Sequence, residues 1–248
     1  MRYFIEFSYF GKHYFGYQIQ PKEISVQEVL ENALSTLLRE KIKTTGAGRT
    51  DTGVHAKKIY AHFDTEIVFP NNFVNRLNSF LPKDIAVKNV FEVEANSHAR
   101  FDALFRTYEY HISLEKNPFA TEQSWIVSNR KLDVDKMNEA CKILFEYSDF
   151  SSFAKIGSDN KTNICKIFKA NWEIRDNMLI LTISADRFLR NMVRSIVGTM
   201  VEVGNGKVTL MKFREIIEQK NRSVAGTSAP AQGLFLVDVG YSFIPAII

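Results

Sequence analysis

From Arg2 to Tyr9 the chain reads RYFIEFSY, apolar and aromatic positions broken by single polar ones, which predicts a strand. A loop containing Gly11, Gly16 and Pro21 follows, and then SVQE (25–28) forms a capping box, with Ser25 accepting from first-turn amides while Glu28 reaches back. Leu30, Ala33, Leu34, Leu37 and Leu38 continue it as a helical stripe. KIKTT (41–45) predicts a short strand running into a glycine-rich loop. KIYAHFDTEI (58–67) predicts a strand leaving that loop, with Ile59, Ala61 and Phe63 alternating against Tyr60, His62 and Asp64. The pattern then predicts a helix over 71–81 and strands at DIAVKNVFEVE (84–94) and TYEYHISL (107–114), separated by a loop at 95–105.

In the second half the pattern predicts a helix near 133–146, a polar loop near 154–161 and a strand at MLILTISAD (178–186). Helices over about 188–203 and 209–219, a basic turn at 219–223 and a last strand near 233–241 complete the chain. Strands and helices mix without strict alternation, which points to an α+β fold with a mostly antiparallel sheet rather than a doubly wound one. Both halves contain strands flanking helices. The expected organisation is two similar halves, 1–105 and 106–248, packed together with no linker or low-complexity segment between them.

Composition narrows the class only a little. A chain of 248 residues, 45% hydrophobic and 24% charged, has room for a sizeable core, and 20 Phe residues suggest a well-filled one. Net charge is +4, from 32 basic and 28 acidic residues, so nucleic-acid binding would have to rest on local clustering. Cys141 and Cys165 form no CxxC pair and no zinc spacing, which fits a reducing cytosol. The chain opens on a strand-like run without a signal-peptide pattern, and no apolar run approaches the roughly 18 residues of a membrane span. A cytoplasmic protein is the expectation.

The chemistry concentrates in GAGRTDTGVHA (46–56), where Asp51 sits between Arg49 and Gly53. As a plain turn, the loop would use Gly46, Gly48 and Gly53 for positive φ angles. As a phosphate loop it fails, because Gly53 is followed by Val54-His55 rather than Lys and Ser or Thr, and a dinucleotide fingerprint would want glycine at position 51. DTG is also the aspartic-protease signature, but that chemistry needs two aspartates sharing one proton. No second DTG or DSG occurs in the chain, and a guanidinium two residues before Asp51 favours the charged carboxylate. What is left is a charged carboxylate on a strand-flanked turn with basic neighbours, suited to a nucleophile or general base acting on a polyanion.

The loop resembles the signature of the tRNA pseudouridine synthases of the TruA type at nearly every position. FGYQIQ (15–20), SVQEVLENAL (25–34), LNSFLPKDIAV (77–87), SHARFDA (97–103), RTYEY (106–110), DFSSF (149–153), FLRNMVRSIVG (188–198) and GLFLVDVGY (233–241) match that family in order along almost the whole chain. The resemblance implies the pseudouridine synthase fold, two halves sharing a mixed central sheet with a basic cleft. It also implies isomerisation of uridine in the anticodon stem-loop of tRNA, at positions 38 to 40, by a homodimer. Such an isomerisation nearly conserves bond energy and calls for no cofactor. His13, His55, His62, His98 and His111 show no metal-ligand spacing either.

Residue by residue, the resemblance makes Asp51 the nucleophile and gives Arg49 the task of holding RNA as the target base leaves its stack. The plainer reading of Arg49 is a salt bridge to a neighbouring carboxylate. Tyr108 matches the tyrosine that stacks under the flipped uracil, with Tyr110, on the same strand face, as the competing candidate. Arg187, Arg190 and Arg194 recur at i, i+3 and i+7 as a basic stripe beside an apolar arc of Leu189, Val193, Ile196, Val197 and Met200. The bland reading of that stripe is a solvated face. By resemblance Arg194 pairs with the nucleophile, leaving Arg187 and Arg190 for phosphates.

The chain departs from the family at Tyr9-Phe10-Gly11 and Gly16-Tyr17-Gln18, where the common pattern is YDG and GWQ. The departures leave the reaction centre alone and bear on the choice of target. A non-catalytic tRNA-binding or chaperone protein of the same fold is the alternative, and Asp51 discriminates against it. A pure binder gains nothing from a carboxylate facing phosphates.

Overall fold

A computed structural model of the chain describes residues 1–128, 131–158 and 161–244. In chain order the strands are β1 (Arg2–Tyr9), β2 (Thr45–Gly46), β3 (His55–Asp64), β4 (Ile85–Val93), β5 (Phe105–Ser113), β6 (Trp125–Ile126), β7 (Ile167–Arg175), β8 (Met178–Ala185) and β9 (Leu234–Gly240). The helices are α1 (Val26–Leu38), α2 (Phe73–Phe80), α3 (Val134–Leu144), α4 (Met192–Gly204) and α5 (Leu210–Glu218). The fold is α+β with mostly antiparallel strand pairs, as the lack of alternation implied. Among the described residues no helix is long and apolar enough to cross a membrane. Residues 159 and 160 of the polar loop expected near 154–161 lie outside the described residues.

The chain divides into two compact units, one of Met1–Leu104 with the chain from Phe235 onward, the other Phe105–Leu234. The first boundary lies beside the one expected at 105. The last strand, grouped on sequence with the second half, belongs to the first unit, because β9 pairs in parallel with β3 through His55 opposite Phe235 and Ala56 opposite Leu236.

In the first unit β1 is central, antiparallel to β3 on one side and β4 on the other. β1 is buried along nearly its whole length, so both of its faces are covered. On one face Tyr3 and Phe63 join Phe69 and, through it, Phe73 of α2. On the other, Phe4 meets Tyr241 and Phe243 edge-on at 5.4 Å each. Ser25 caps α1 by accepting from the Glu28 amide at 3.2 Å, as its capping box implied.

The second unit orders its strands β5, β8, β7, all antiparallel neighbours, with β6 parallel to β5. α4 is buried on nearly every side, and Cys141 of α3 and Trp172 of β7 both pack on its Met200. Burial in this apolar setting pushes the Cys141 and Cys165 thiols up to about 12, so neither is a reactive thiolate. Between the helix expected near 133–146 and the strand expected at 178 no strand was predicted, yet β7 is present. It is an edge strand with only Ile167, Ala170 and Trp172 buried, and its register slips between Ile167 and Lys169, which erases the alternation.

The outer strand of each unit is closed in the same way. On β4, the Asn78 side chain of α2 accepts from Val87 N–H at 2.7 Å and donates to Val87 O at 2.8 Å. On β7, Asn138 of α3 does the same to Trp172, at 2.8 Å and 3.0 Å. A side-chain amide thus takes the hydrogen bonds that a further strand would otherwise compete for.

His62 of β3 is buried and accepts the Ala99 amide at Nδ1, 3.1 Å away. Burial, aided by Arg2 and His98 and opposed by Asp64 and Asp102, lowers its pKa to about 4. The folded state therefore binds fewer protons than the unfolded chain between about 6.5 and 4, so stability is full above that window and falls on acidification through it. Denaturant titrations at pH 7.5 and pH 5 should show the wild type losing about 2 kcal/mol from this group. His62→Gln keeps an acceptor and titrates nothing, and should lose correspondingly less.

Candidate active site

The loop that carries Asp51 is anchored at both ends by sheet. β2 enters it, Thr45 opposite His62 and Gly46 opposite Ala61, and β3 leaves it at His55, three residues earlier than the pattern predicted. Upstream of β2, the buried Glu31 of α1 accepts from Thr44 N–H at 2.8 Å, from Gln27 at 3.0 Å and from Lys43 at 2.9 Å. Inside the loop Ala47 N–H donates to Tyr60 O at 2.8 Å, and Val54 N–H closes a turn on Asp51 O at 3.1 Å.

Residues 10–17 run behind this turn. Gly53 N–H donates to Tyr14 O at 3.4 Å and Tyr17 N–H to Thr50 O at 3.3 Å. The Tyr9 and Thr50 hydroxyls share a buried hydrogen bond of 2.8 Å. Backbones meet so closely that a Cβ on Gly16 would lie 2.4 Å from Thr50 O, and one on Gly11 would lie 1.9 Å from Val54 O. Gly16 also has φ +86°, a region open to glycine and strained for other residues. Of the three loop glycines expected at positive φ only Gly53 is there, at +77°; pairing with β3 keeps Gly46 extended, and Gly48 has φ outside that region.

Along the crest, exposure alternates. Arg49 is exposed, Thr50 buried, Asp51 half-buried and Thr52 exposed. The buried hydroxyl of Thr50 thus roots a turn on which Arg49 is exposed and Asp51 half-buried. Both departures from the family pattern lie at the rear. Phe10 stacks on His55 at 4.3 Å, and the buried Tyr17 ring fills the space a side chain on Gly46 would need.

The other expected site residues belong to the second unit. Tyr108 and Tyr110 share one face of β5, opposite Ile183 and Leu181 of β8. Tyr110 is fully buried, donates to Pro230 O at 2.8 Å and packs so tightly on Gly233 that burial drives its hydroxyl pKa far up. Tyr108 is half-buried, with its ring edge-on to Phe188 at 5.2 Å. Phe188 and Arg106, which donates to Asp186 O at 2.9 Å, are neighbours that the sequence marked only as letters of longer motifs.

The arginine stripe needs correction. α4 begins at Met192, not 188, because Asn191 takes a left-handed conformation, φ 65°, and its side chain holds Ser228 at 2.6 Å. Arg187 and Arg190 therefore lie on the irregular approach to the helix, and only Arg194 is helical. Its Nε donates to Ala229 O at 2.7 Å, and its carbonyl accepts Ala229 N–H at 2.9 Å. The apolar residues named beside the stripe are buried as expected, with Leu189 lying just ahead of the helix.

A family model described as tRNA pseudouridine synthase matches residues 6–102 and 140–242. A protein of Bacteroides fragilis named tRNA pseudouridine synthase A is 54% identical over 243 residues, 97% of this chain and 96% of that protein. One of the same name from Bacteroides thetaiotaomicron is 53% identical, covering 97% of this chain and 90% of its own length. A Clostridium perfringens protein named tRNA pseudouridine synthase A 2 is 40% identical over 94% of this chain and 96% of its own.

The clamp behind the turn should be visible in stability. Gly16→Ala adds a Cβ against Thr50 O at a positive φ, and should cost more than about 1 kcal/mol in urea titration. Gly48→Ala meets nothing within 4 Å and should stay within about 0.5 kcal/mol of wild type.

Proposed function

The chain belongs to the tRNA pseudouridine synthase family and is an isomerase, and we propose that it converts uridine to pseudouridine in the anticodon arm of tRNA, at positions 38 to 40, with Asp51 as nucleophile. The observation that carries this reading is the half-buried Asp51 on the crest of a turn packed without slack from behind, Thr50 buried beneath it and two glycines admitting no side chain. An attacking group gains most when it is held still on one side and open on the other.

In the reaction the glycosidic bond from ribose C1′ to N1 breaks, uracil turns, and C1′ bonds to C5. The C5 proton leaves and N1 takes one up, so the electrons balance without oxidant or reductant. Before that, the base must leave its stack at a cost of roughly a few kcal/mol. Arg49, exposed beside Asp51, is the group we assign to clamping RNA at that moment, through phosphate and the face of a neighbouring base.

Tyr108 is assigned to stacking on the extruded uracil. Its rival Tyr110 is engaged at Pro230 and enclosed by protein, whereas the Tyr108 ring is only partly covered. Arg194 is read as a substrate-binding residue, and Arg187 and Arg190 as phosphate contacts, the last being exposed. The active species in this reading is a cytoplasmic homodimer.

Tritium release from tRNA carrying uridine labelled at carbon 5 tests the chemistry, since that proton leaves only when uracil is rejoined through that carbon. Wild type should release it, and Asp51→Asn should be slower by about four orders of magnitude, as when a reacting side chain is removed elsewhere. Equal rates would end the nucleophile assignment. tRNA binding by both proteins should weaken on the order of a thousandfold between about 50 and 200 mM salt, and a flat response would rule out the phosphate contacts.

A further inference from the structure

The signature loop ends in a residue that the reaction as described leaves unused. His55 is only 1% exposed, so it touches neither RNA nor solvent. Its Nδ1 accepts the Gly11 N–H at 2.9 Å. Its ring lies against Phe10 at 4.3 Å and 18° on one hand, and against Phe235 of β9 at 4.7 Å and 31° on the other. Three distant stretches of chain, the end of β1, the exit of the loop and β9, therefore meet on one imidazole.

Because a backbone N–H can only donate, Nδ1 carries no proton here, and the ring acts as an acceptor. That role is what distinguishes histidine from any flat apolar filler at this place. The contact leads to Asp51 in two steps. Gly11, held by Nδ1, is the residue against which Val54 O rests without room for a Cβ, and Val54 N–H closes the turn on Asp51 O at 3.1 Å.

We infer that His55 is a positioning residue for Asp51. Its bond to Gly11 sets how far the end of β1 stands from the loop exit, and so where the turn carries its carboxylate. Phe10 and Phe235 fix the plane of the ring and with it the direction of the Nδ1 lone pair. The inference rests on Asp51 being the nucleophile.

The test compares His55→Leu, which fills the space without an acceptor, with His55→Asn, whose side-chain oxygen replaces Nδ1 in a smaller side chain. For each variant kcat and KM are measured by tritium release from labelled tRNA and Tm by melting, beside wild type and Asp51→Asn. His55→Leu should lose about 10- to 100-fold in kcat with KM for tRNA nearly unchanged, the scale on which misplacing a reacting group acts. His55→Asn should regain most of that rate although its smaller side chain leaves it the less stable of the two.

If kcat instead follows Tm, or if His55→Leu turns over like wild type, the positioning role is wrong while the nucleophile assignment stands. Should His55→Leu not fold, a tenfold fall in kcat for folded His55→Asn is enough to overturn the role, and a rate near wild type supports it. Undiminished release by Asp51→Asn would overturn the nucleophile assignment, and this inference with it.

Discussion

Val54 O and Thr50 O lie so near the backbones of Gly11 and Gly16 that no side chain fits between them, and the placing of the signature loop depends on these two contacts. A loop that keeps a carboxylate partly accessible cannot be wholly covered from the front. Its stiffness has to come from behind, and backbone against backbone is the shortest stop available. The same stretch that supplies the stop joins β1 to α1, so the end of the central strand and the start of the helix are placed by the loop they brace. Around the stop the hydrogen bonds of Tyr14 O and Tyr17 N–H and the buried Tyr9–Thr50 hydroxyl pair leave the turn few alternatives. Each of these contacts is net worth about 1 kcal/mol. Their effect lies in acting on one short turn together.

A second constraint is common to both units. A sheet whose outer strand is bare invites another strand, and both units answer with an asparagine projected from a helix onto the strand backbone, Asn78 on Val87 and Asn138 on Trp172. The amide suits the purpose because it presents one donor and one acceptor, matching the N–H and C=O of a single residue. The two solutions are alike in chemistry while differing in sequence distance, nine residues in one unit and 34 in the other. Closing the edges also means that self-association has to use some surface other than the middle of these two edges.

What could be read from the sequence was what periodicity and caps encode. α1 follows from Ser25 and its leucines, and β1 and β8 from apolar runs broken only by single polar residues. β7 was not legible, because Lys169, Asn171 and Glu173 leave few buried positions and a register slip shifts even those. The arginines at 187, 190 and 194 obey helical spacing, yet spacing says nothing of a left-handed Asn191 that delays the helix until 192. In the site, Asp51 and Arg49 stood out because their chemistry is local to one loop. The clamp did not, since its partners are far apart in sequence, and a glycine read alone announces freedom rather than contact. Tyr110 competed with Tyr108 on strand spacing, and what separates them is the Pro230 carbonyl, which no local pattern could reveal.

Phe10 and Tyr17, where the chain departs from its family, gain a different meaning from this arrangement. On sequence they bore on which RNA is chosen. In the fold Tyr17 is buried beneath Gly46, and Phe10 spends its ring on His55. Tyr17, enclosed by protein, cannot read a nucleotide, whereas Phe10 is half-buried. Any influence Tyr17 has on the target must pass through the loop it supports, as a change in where Asp51 and Arg49 stand. Stacking and burial are tolerant of small rotations, whereas the glycine contacts are not. The aromatic pair is thus the adjustable part of the support and the backbone stop the fixed one.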